Sequence, residues 1–337
     1  FAIECRASRI DLWGSGCSGS VVSADFQRTV LLDDGRGHLA GDRWRGFDYG
    51  TSRLIERGEA KMSSDISPEA RATWQVPSFQ TPLWLGRRHP WCVAIPVINE
   101  GERIKSLLSK MAAVNVAEID DIVIIDGGSK DGSLELDYLR AQGVRGLVLK
   151  TGPGKLSAQL RCAYAFALDQ GYEGIVTIDG NDKDDPVSIS HFIEALKQGV
   201  DFVQASRFVT GGVAENTPKS RDFAIRFIHA PMLRLSSGFR WTDTTQGFRA
   251  YSRKILLDSQ IAPFRDVFMT YELLAYLSYR APKLGYRCVE LPTVRRYPKG
   301  EVPTKISVFK GNFSVLLVLF RACLGAYNPK LGDSASE

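Results

Sequence analysis

Residues Gly174-Ile-Val-Thr-Ile-Asp179-Gly-Asn-Asp-Lys-Asp-Asp-Pro186 combine an apolar run with a dense polar cluster. The apolar run predicts a buried strand that ends at Asp179. The carboxylates that follow it would repel one another unless solvent or a cation lay among them. Carboxylate and amide oxygens are ligands that suit Mg²⁺ or Mn²⁺. An alternative interpretation is an acidic, solvated turn in which Asp185 caps a helix beginning at Pro186.

The segments on both sides of this stretch alternate between apolar runs and amphipathic stretches. Further strands are predicted at 91–96, 121–126, 146–150 and 201–206, and helices at 100–111, 130–141, 156–170 and 186–198. This alternation predicts an α/β fold with a mostly parallel central sheet and helices on both faces. The carboxyl ends of parallel strands share one sheet edge, so we expect Asn99-Glu100, Asp126 and the Asp179 cluster to lie together.

The second half of the chain has a less regular pattern. We predict helices at 219–236 and 266–281, a strand at 246–251 and an extended segment at 287–297. The apolar stretch 313–327 has two open interpretations, a helix at a membrane interface or a helix packed on the core. No run of about 18 apolar residues occurs, so we expect no membrane-spanning helix.

The composition argues against several classes of protein. The 337 residues are 44% apolar and 24% charged, with a net charge of +5, which does not indicate a nucleic-acid partner. Six scattered cysteines with no C-x-x-C pair fit a reducing, cytoplasmic environment and no zinc site. No G-x-G-x-x-G loop follows a strand, and Gly154-Lys155 lacks the rest of a Walker loop.

Four segments are expected along the chain. Residues 1–61 are rich in Gly, Arg, Ser and Asp without a period, which predicts a poorly ordered or non-native extension. We hypothesise that natural translation begins at Met62, since residues 57–59 can be encoded by a sequence resembling a ribosome-binding site. A lead-in segment at 62–90, the main domain at 91–305 and an apolar helix with a polar tail at 306–337 follow.

A series of short motifs occurs in order between Cys92 and Lys305, about two thirds of the chain. They are Ile95-Pro-Val-Ile-Asn-Glu100, Val123-Ile-Ile-Asp-Gly-Gly-Ser-Lys-Asp-Gly-Ser133, Gly154-Lys155, Asp179-Gly-Asn181, Ser206-Arg207, Thr245-Gln-Gly-Phe-Arg249 and the basic segment from Arg295 to Lys305. In this order they resemble glycosyltransferase family 2, and within it the dolichyl-phosphate-mannose-synthase-like group. The resemblance implies a GT-A fold over 91–305, a nucleoside-diphosphate sugar donor and inversion at the anomeric carbon.

The resemblance also implies a donor site at the strand ends. Pro96, Asn99 and Glu100 would line the nucleoside pocket. Asp126 would contact the base or the ribose, and Lys155 would face the nucleotide or its phosphates.

Asp179, Gly180 and Asn181 stand where the family binds the donor diphosphate and its metal. The resemblance therefore implies Mg²⁺ or Mn²⁺ on Asp179 and Asn181, with Asp182 or Asp185 as helpers. Two departures weaken that expectation, because Asn181 replaces an aspartate and Lys183 stands where related lipid-phosphate enzymes often carry a metal-binding Gln.

The transfer chemistry needs cationic groups that stabilise the leaving diphosphate or hold an acceptor phosphate. The candidates are Arg207, Arg295, Arg296, Lys299 and Lys305, with a solvated basic edge as the alternative interpretation of the C-terminal group. A phosphate acceptor needs no general base, whereas a sugar hydroxyl needs one, for which Asp243 and Glu272 are candidates. The acceptor wall is expected to include Thr244, Thr245, Gln246 and Arg249.

We therefore expect an inverting glycosyltransferase that moves a hexose from a nucleotide sugar to a polyprenyl-phosphate-type acceptor, with or without peripheral contact with the inner face of the membrane. One alternative acceptor is a sugar hydroxyl in surface polysaccharide or glycolipid synthesis. An inactive nucleotide-sugar-binding protein is an alternative of another class. A nucleotidyltransferase is disfavoured, because Pro96-Val-Ile-Asn-Glu100 stands where its G-x-G-T-R loop would be.

Overall fold

The computed structural model describes residues 66–298 and 310–330, with the side chains of 310–313 excepted. All described residues belong to one compact unit. The predicted extension at 1–61 and residues 299–305 of the predicted basic segment lie outside the described residues. The four predicted segment boundaries therefore stay predictions.

The strands and helices follow the predicted order closely. The strands are β1 (Phe79–Trp84), β2 (Trp91–Val97), β3 (Asp121–Asp126), β4 (Val144–Lys150), β5 (Gly174–Thr177), β6 (Phe202–Ser206), β7 (Val213–Glu215), β8 (Arg249–Ser252), β9 (Cys288–Pro292) and β10 (Val294–Arg296). The α-helices are α1 (Pro68–Ala72), α2 (Glu102–Ala113), α3 (Leu136–Ala141), α4 (Leu156–Asp169), α5 (Ile189–Lys197), α6 (Lys219–Ala224), α7 (Ala230–Ser237), α8 (Arg253–Leu257), α9 (Glu272–Lys283) and α10 (Lys310–Cys323). Single turns of 3₁₀ helix occur at Val116–Glu118 and Pro186–Ser188, and a π-helical turn at Ile225–His229 joins α6 to α7.

Eight of the described strands form one mixed sheet in the order β1-β4-β3-β2-β5-β8-β6-β9. Its pairs β4-β3, β3-β2, β2-β5 and β6-β9 are parallel, whereas β1 and β8 run antiparallel to their neighbours. β7 and β10 form a separate parallel pair. The predicted α/β class with a mostly parallel sheet is confirmed.

Two apolar clusters lie on opposite faces of this sheet. Successive side chains of a strand point to opposite faces, so Cys92 and Ala94 of β2 join one cluster while Val93 and Ile95 join the other. The first cluster includes side chains from α4, α7, α9 and α10, and the second includes side chains from α2 and α5. Helices therefore cover both faces, as the alternation predicted.

Three local predictions need correction. β1 was not expected, because it is a polar edge strand with a single buried side chain, Leu83, and Pro82 in its interior. The helix predicted at 130–141 begins only at Leu136, since the residues before it form a loop. The helix predicted at 266–281 begins at Glu272, because the carbonyl groups of Met269 and Thr270 accept hydrogen bonds from the start of α4 instead.

Candidate active site

The carboxyl ends of β3, β2 and β5 lie side by side at one sheet edge. Val97 of β2 lies opposite Asp126 of β3, and Ala94 of β2 lies opposite Thr177 of β5. The polar loops that follow these strands therefore meet, as the sequence predicted for parallel neighbours.

The loop after β3 is held by side chains from two strand ends. The carboxylate of Asp126 accepts hydrogen bonds from the main-chain N–H of Ser129 (2.9 Å) and from its hydroxyl (2.7 Å). Asn99 donates its main-chain N–H to the Ser129 hydroxyl (2.9 Å) and accepts one from the N–H of Lys130 (2.8 Å). Asp126, Ser129 and Asp131 are among the residues that line a cavity of about 220 Å³ beside this loop.

The other predicted donor residues lie around the same edge. The carbonyl of Pro96 accepts a hydrogen bond from the N–H of Gly180 (3.4 Å), which joins β2 to the acidic loop. Glu100 forms an ion pair with Arg103 (2.7 Å) at the start of α2. The side chain of Lys155 is exposed at the start of α4, and its main-chain N–H donates to the carbonyl of Met269 (2.7 Å).

Asp179 follows β5 with its carboxylate partly open to solvent, at 21% exposure. One side of it lies against Gly247, where a Cβ would approach within 2.9 Å of the Asp179 Cγ and closer still to Oδ1. On another side, Nη2 of Arg295 is 3.5 Å from its Oδ2. The carboxylate is therefore held in place by a glycine and a guanidinium group.

Each remaining carboxylate of the acidic loop has a partner of its own. Asp182, in the left-handed region with φ of 57°, pairs with Lys110 (2.7 Å) and accepts from the Ser106 hydroxyl (2.7 Å). Asp184 is buried and pairs with Arg295. Asp185 accepts from the N–H of Val187, as the capping interpretation predicted, and pairs with Arg296 (3.2 Å). Neither Asp182 nor Asp185 is free to act as the expected metal helper.

Three cationic side chains contact Tyr297 next to Asp179, and a fourth, Arg207, lies near enough to lower the pKa of its phenol. We call them the basic cluster, and they are Lys183, Arg207, Arg221 and Arg295. The Tyr297 hydroxyl accepts from Arg221 (3.0 Å) and from Arg295 (3.4 Å), and the Lys183 ammonium lies 5.1 Å from the ring centroid.

The pKa of Tyr297 reports the positive potential of this cluster. Burial raises the pKa of the phenol, but the guanidinium groups of Arg295, Arg221 and Arg207 outweigh it and bring the pKa down to about 7. Burial and the charge of Arg295 also lower the pKa of Lys183. The cluster is therefore a region of concentrated positive charge beside the strand ends.

Arg207 and Asp243 form a buried ion pair, with Nε 2.6 Å from Oδ2 and both side chains at 1% exposure or less. Asp243 also accepts from Gln246 Nε2 (2.6 Å). Although burial raises its pKa, the charge and hydrogen bond of Arg207 hold the pKa of Asp243 below its ordinary value. Asp243 therefore positions Arg207, and its pairing with Arg207 and its lowered pKa do not fit the expected general base. Nη1 of Arg207 is buried without an acceptor among the described residues.

Glu272 is not in the middle of a helix, as the sequence suggested, but is the first residue of α9. Its carboxylate accepts from the main-chain N–H and the hydroxyl of Thr270, both at 2.6 Å. It therefore braces the turn that leads into the helix.

Arg249 does not lie on an acceptor wall. It is fully buried, and its guanidinium group donates to the carbonyl oxygens of Thr244 (2.8 Å), Gln246 (2.9 Å) and Leu274 (2.7 Å). These bonds brace the loop before β8 against α9. The predicted phosphate contact of Arg249 is corrected to a structural role.

The remaining basic candidates divide between the surface and the undescribed segment. Arg296 is half-exposed and pairs with Asp185 and with Glu215 (3.1 Å). Lys299 and Lys305 lie outside the described residues.

Sequence reasoning missed several residues of the site. Arg221 and Tyr297 gave no motif signal. Glu290 lies under the loop before β8 and accepts from the N–H groups of Thr242 (2.9 Å) and Asp243 (2.8 Å); burial raises its pKa to about 7. Gly247 is part of the motif Thr245-Gln-Gly-Phe-Arg249, but its contact with Asp179 follows only from the pairing of β5 with β8.

Comparison with known proteins identifies the family. The profile of "Glycosyl transferase family 2" matches residues 92–258. The chain belongs to glycosyltransferase family 2. The match includes the strand-end loops and the ion pair of Arg207 with Asp243.

Two curated relatives are similar over most of their own length. Polyprenol monophosphomannose synthase of Mycolicibacterium smegmatis is 27% identical over 203 residues, 59% of this chain and 75% of that protein. Undecaprenyl-phosphate mannosyltransferase of Micrococcus luteus is 28% identical over 201 residues, 59% of this chain and 80% of that protein. A solved glucosyl-3-phosphoglycerate synthase of Mycobacterium tuberculosis, in complex with Mn²⁺, UDP and glucosyl-3-phosphoglycerate, superposes with a TM-score of 0.47 at 18% identity, covering 73% of this chain and 82% of that one.

Proposed function

We propose that this glycosyltransferase moves a hexose, with inversion, from a nucleoside-diphosphate sugar to a polyprenyl phosphate. The observation that carries the proposal is the basic cluster beside Asp179, together with the engagement of both candidate general bases in other contacts. The names of the two curated relatives, a polyprenol monophosphomannose synthase and an undecaprenyl-phosphate mannosyltransferase, support the same acceptor class.

The donor would lie across the strand ends. Its base and ribose would occupy the cavity lined by Asp126 and Ser129, near Asn99 and Glu100. Its diphosphate would extend toward Asp179, Gly180 and the basic cluster. Lys155, which is exposed at the start of α4, would approach the nucleotide from the end of that helix.

The chemistry would be an in-line displacement at the anomeric carbon. The bond from that carbon to the β-phosphate oxygen breaks, and its electron pair leaves on the nucleoside diphosphate. An oxygen of the acceptor phosphate forms the new bond to the same carbon. The acceptor is already anionic, so no proton has to be removed, and the cluster's role is to stabilise negative charge.

Arg207 is the proposed contact for the acceptor phosphate. Its Nη1 is buried without an acceptor in the described part of the chain, and an unsatisfied buried donor costs about 1–3 kcal/mol. A phosphate oxygen would satisfy it. Gln246, which shares Asp243 with Arg207, would help to fix this geometry.

The helical layer beside the site would contact the membrane. Large apolar side chains are exposed on the α6–α7 segment, on α10 and directly after α10: Phe223, Phe227, Leu235, Leu317, Phe320 and Leu324. Exposed Arg226, Arg234 and Arg321 accompany them, which suits an anionic lipid surface. The other face of α10, with Val318, Leu319 and Ala322, is buried. No helix in the described ranges has the length and apolar character needed to span a bilayer.

A transfer assay with separate donors and acceptors tests the proposal. The full chain would be incubated with radiolabelled GDP-mannose or UDP-glucose and with undecaprenyl phosphate in detergent micelles, and the label in the organic phase would be measured. We expect label on the lipid, and its release by mild acid. Label on an oligosaccharide acceptor but never on the lipid phosphate would replace this proposal with the glycan alternative. Donor binding without transfer or hydrolysis would favour an inactive binding protein.

A further inference from the structure

The side chains around Asp179 do not form a good ligand set for a divalent metal ion. Mg²⁺ and Mn²⁺ prefer several oxygen ligands, of which a protein usually supplies one or two carboxylates. Within 66–298 and 310–330, no three His, Cys, Asp or Glu side chains converge as a metal-binding group. Asp179 is the one carboxylate of the acidic loop that has no short ion pair, and a guanidinium group already lies 3.5 Å from it.

The neighbouring side chains reinforce this mismatch. Asn181 is neutral, and its Oδ1 accepts from the main-chain N–H of Lys183 (3.3 Å). Asp184 is buried, and its Oδ2 pairs with Arg295 while its Oδ1 has no hydrogen-bond partner among the described residues. A divalent ion on Asp179 would therefore stand against the positive charge of Arg295 and Lys183 with one carboxylate and no second anionic ligand.

We propose that Lys183 and Arg295 supply the positive charge that a divalent ion would supply, so that this enzyme binds its nucleotide donor without a metal. The inference rests on the proposed function for the position of the diphosphate beside Asp179, but not on the identity of the acceptor.

The balance of charge in the site supports this assignment. Two of the cluster's cations have a buried carboxylate partner, Asp243 for Arg207 and Asp184 for Arg295. Lys183 and Arg221 form no ion pair with a carboxylate of the described residues, and the third carboxylate beside the cluster is Asp179, which lies 3.5 Å from Arg295. One positive charge therefore remains in excess, and a diphosphate would be drawn to it in the absence of metal.

The position of Lys183 is fixed by the chain. Its main-chain carbonyl accepts a hydrogen bond from Arg296 (2.7 Å), and its ammonium lies over the ring of Tyr297. The Tyr297 hydroxyl in turn contacts Arg295 and Arg221. Lys183 is thus one side of a preorganised cationic wall, and a preorganised charge needs little rearrangement when the leaving group develops its charge.

Nucleotide binding measured with and without metal tests the inference independently of transfer. Bound metal would be removed from the full chain with EDTA. The affinities for GDP and UDP would then be measured by calorimetry, once in EDTA and once in an excess of Mn²⁺. We expect one of the nucleotides to bind in EDTA with an affinity within about threefold of that in Mn²⁺. An affinity that improves more than about tenfold on adding Mn²⁺ would overturn the inference. So would the failure of both nucleotides to bind in either buffer.

Three variants sharpen the test. Lys183→Gln should weaken nucleotide binding roughly tenfold or more in EDTA, because a charge-assisted contact is lost. The double variant Asn181→Asp with Lys183→Gln restores an anionic ligand set and should bind only when Mn²⁺ is present, with Mn²⁺ uptake visible by electron paramagnetic resonance. Lys254→Gln, on an exposed lysine paired with Asp201, is the matched control and should behave as the unaltered chain.

The two proposals fail in different ways. If nucleotide binds without metal but no sugar reaches a lipid phosphate, the proposed acceptor is wrong and the inference stands. If lipid phosphate is glycosylated only with Mn²⁺ and nucleotide binding follows the same requirement, the inference is wrong and the proposed function stands. If Lys183→Gln binds nucleotide in EDTA as tightly as the unaltered chain, Lys183 is not the replacement cation and the inference falls.

Discussion

The carboxylate of Asp179 packs directly against the backbone of Gly247, at a distance that leaves no room for a Cβ. This contact joins the end of β5 to the loop before β8, and both strands are neighbours in the sheet. Gly247 therefore sets how far the carboxylate can withdraw from the site.

Gly247→Ala is expected to displace the Asp179 carboxylate while the sheet stays folded. A shift of about 1 Å in a positioning group can lower the rate of a reaction roughly 100-fold, and we expect a loss of that order in transfer. Circular dichroism and thermal melting would check the fold. Gly285→Ala is the control, because Gly285 has a positive φ but no atom near its Cβ position. It should cost stability and leave transfer unchanged; equal activity in both variants would contradict the positioning role of Gly247.

Glu272→Gln is expected to leave transfer within about threefold of the unaltered chain, whereas removal of a general base typically costs 100-fold or more. The reason is that Glu272 braces the turn before α9 through Thr270, and in glutamine the amide oxygen can accept from the Thr270 N–H while the amide nitrogen donates to its hydroxyl. The measurement is kcat and KM for lipid phosphate across roughly pH 6–9, because a general base works best when its pKa lies near the operating pH. Loss of the acidic limb of the pH profile, with a large fall in kcat, would instead identify Glu272 as the base and favour a hydroxyl acceptor.

Arg249→Leu is expected to destabilise the fold rather than to weaken acceptor binding. The substitution leaves the carbonyl groups of Thr244, Gln246 and Leu274 without their buried donor, which should lower the free energy of unfolding by about 2–4 kcal/mol. Denaturant unfolding measures this. Arg140→Gln, on an exposed arginine of α3, should change stability little. A raised KM for lipid phosphate with normal stability would restore the acceptor role.

Asp120 makes stability depend on pH. Both carboxylate oxygens are buried without a partner in the described residues, and burial, opposed by Lys197 and assisted by Asp121, raises the pKa of Asp120 to about 7. The folded state therefore holds a proton that the unfolded chain releases near pH 4, so stability falls as the pH rises from about 4 to about 7 and then levels off.

Asp120→Asn should remove this dependence. The loss in the unaltered chain is on the order of 2–4 kcal/mol between those limits, and the variant should show a correspondingly flatter profile of unfolding free energy against pH. Glu118→Gln, at an exposed carboxylate nearby, is the control and should retain the slope of the unaltered chain. Parallel profiles for Asp120→Asn and the unaltered chain would show that Asp120 is not the titrating group.

Phe227→Ser and Phe320→Ser are expected to weaken binding to vesicles that contain anionic lipid. Both side chains are more than half exposed, and transfer of an aromatic side chain into the interface contributes about 1.5–3 kcal/mol when it is complete. We expect roughly tenfold weaker binding for each in a flotation assay, with detergent-solubilised transfer little changed. Ile119→Ser removes a similarly exposed apolar side chain from another part of the surface and should have no effect. Equal vesicle binding by all three variants would exclude this face as the membrane contact.

The sequence by itself determined the order of most strands along the chain, the convergence of three polar loops at one edge of the sheet and the family. Apolar periodicity reports burial within a segment, and the parallel alternation fixes where the strand ends meet. The tertiary structure decided what each charged side chain does. Asp182 pairs with Lys110, Asp184 with Arg295 and Arg207 with Asp243 across 36 to 111 residues of chain. No local pattern encodes such pairs, because the energy of a charge depends on which distant groups share its low-dielectric surroundings. The acidic loop therefore looked like a metal site in the sequence, whereas in the folded chain most of its charge is already balanced by the protein's own cations.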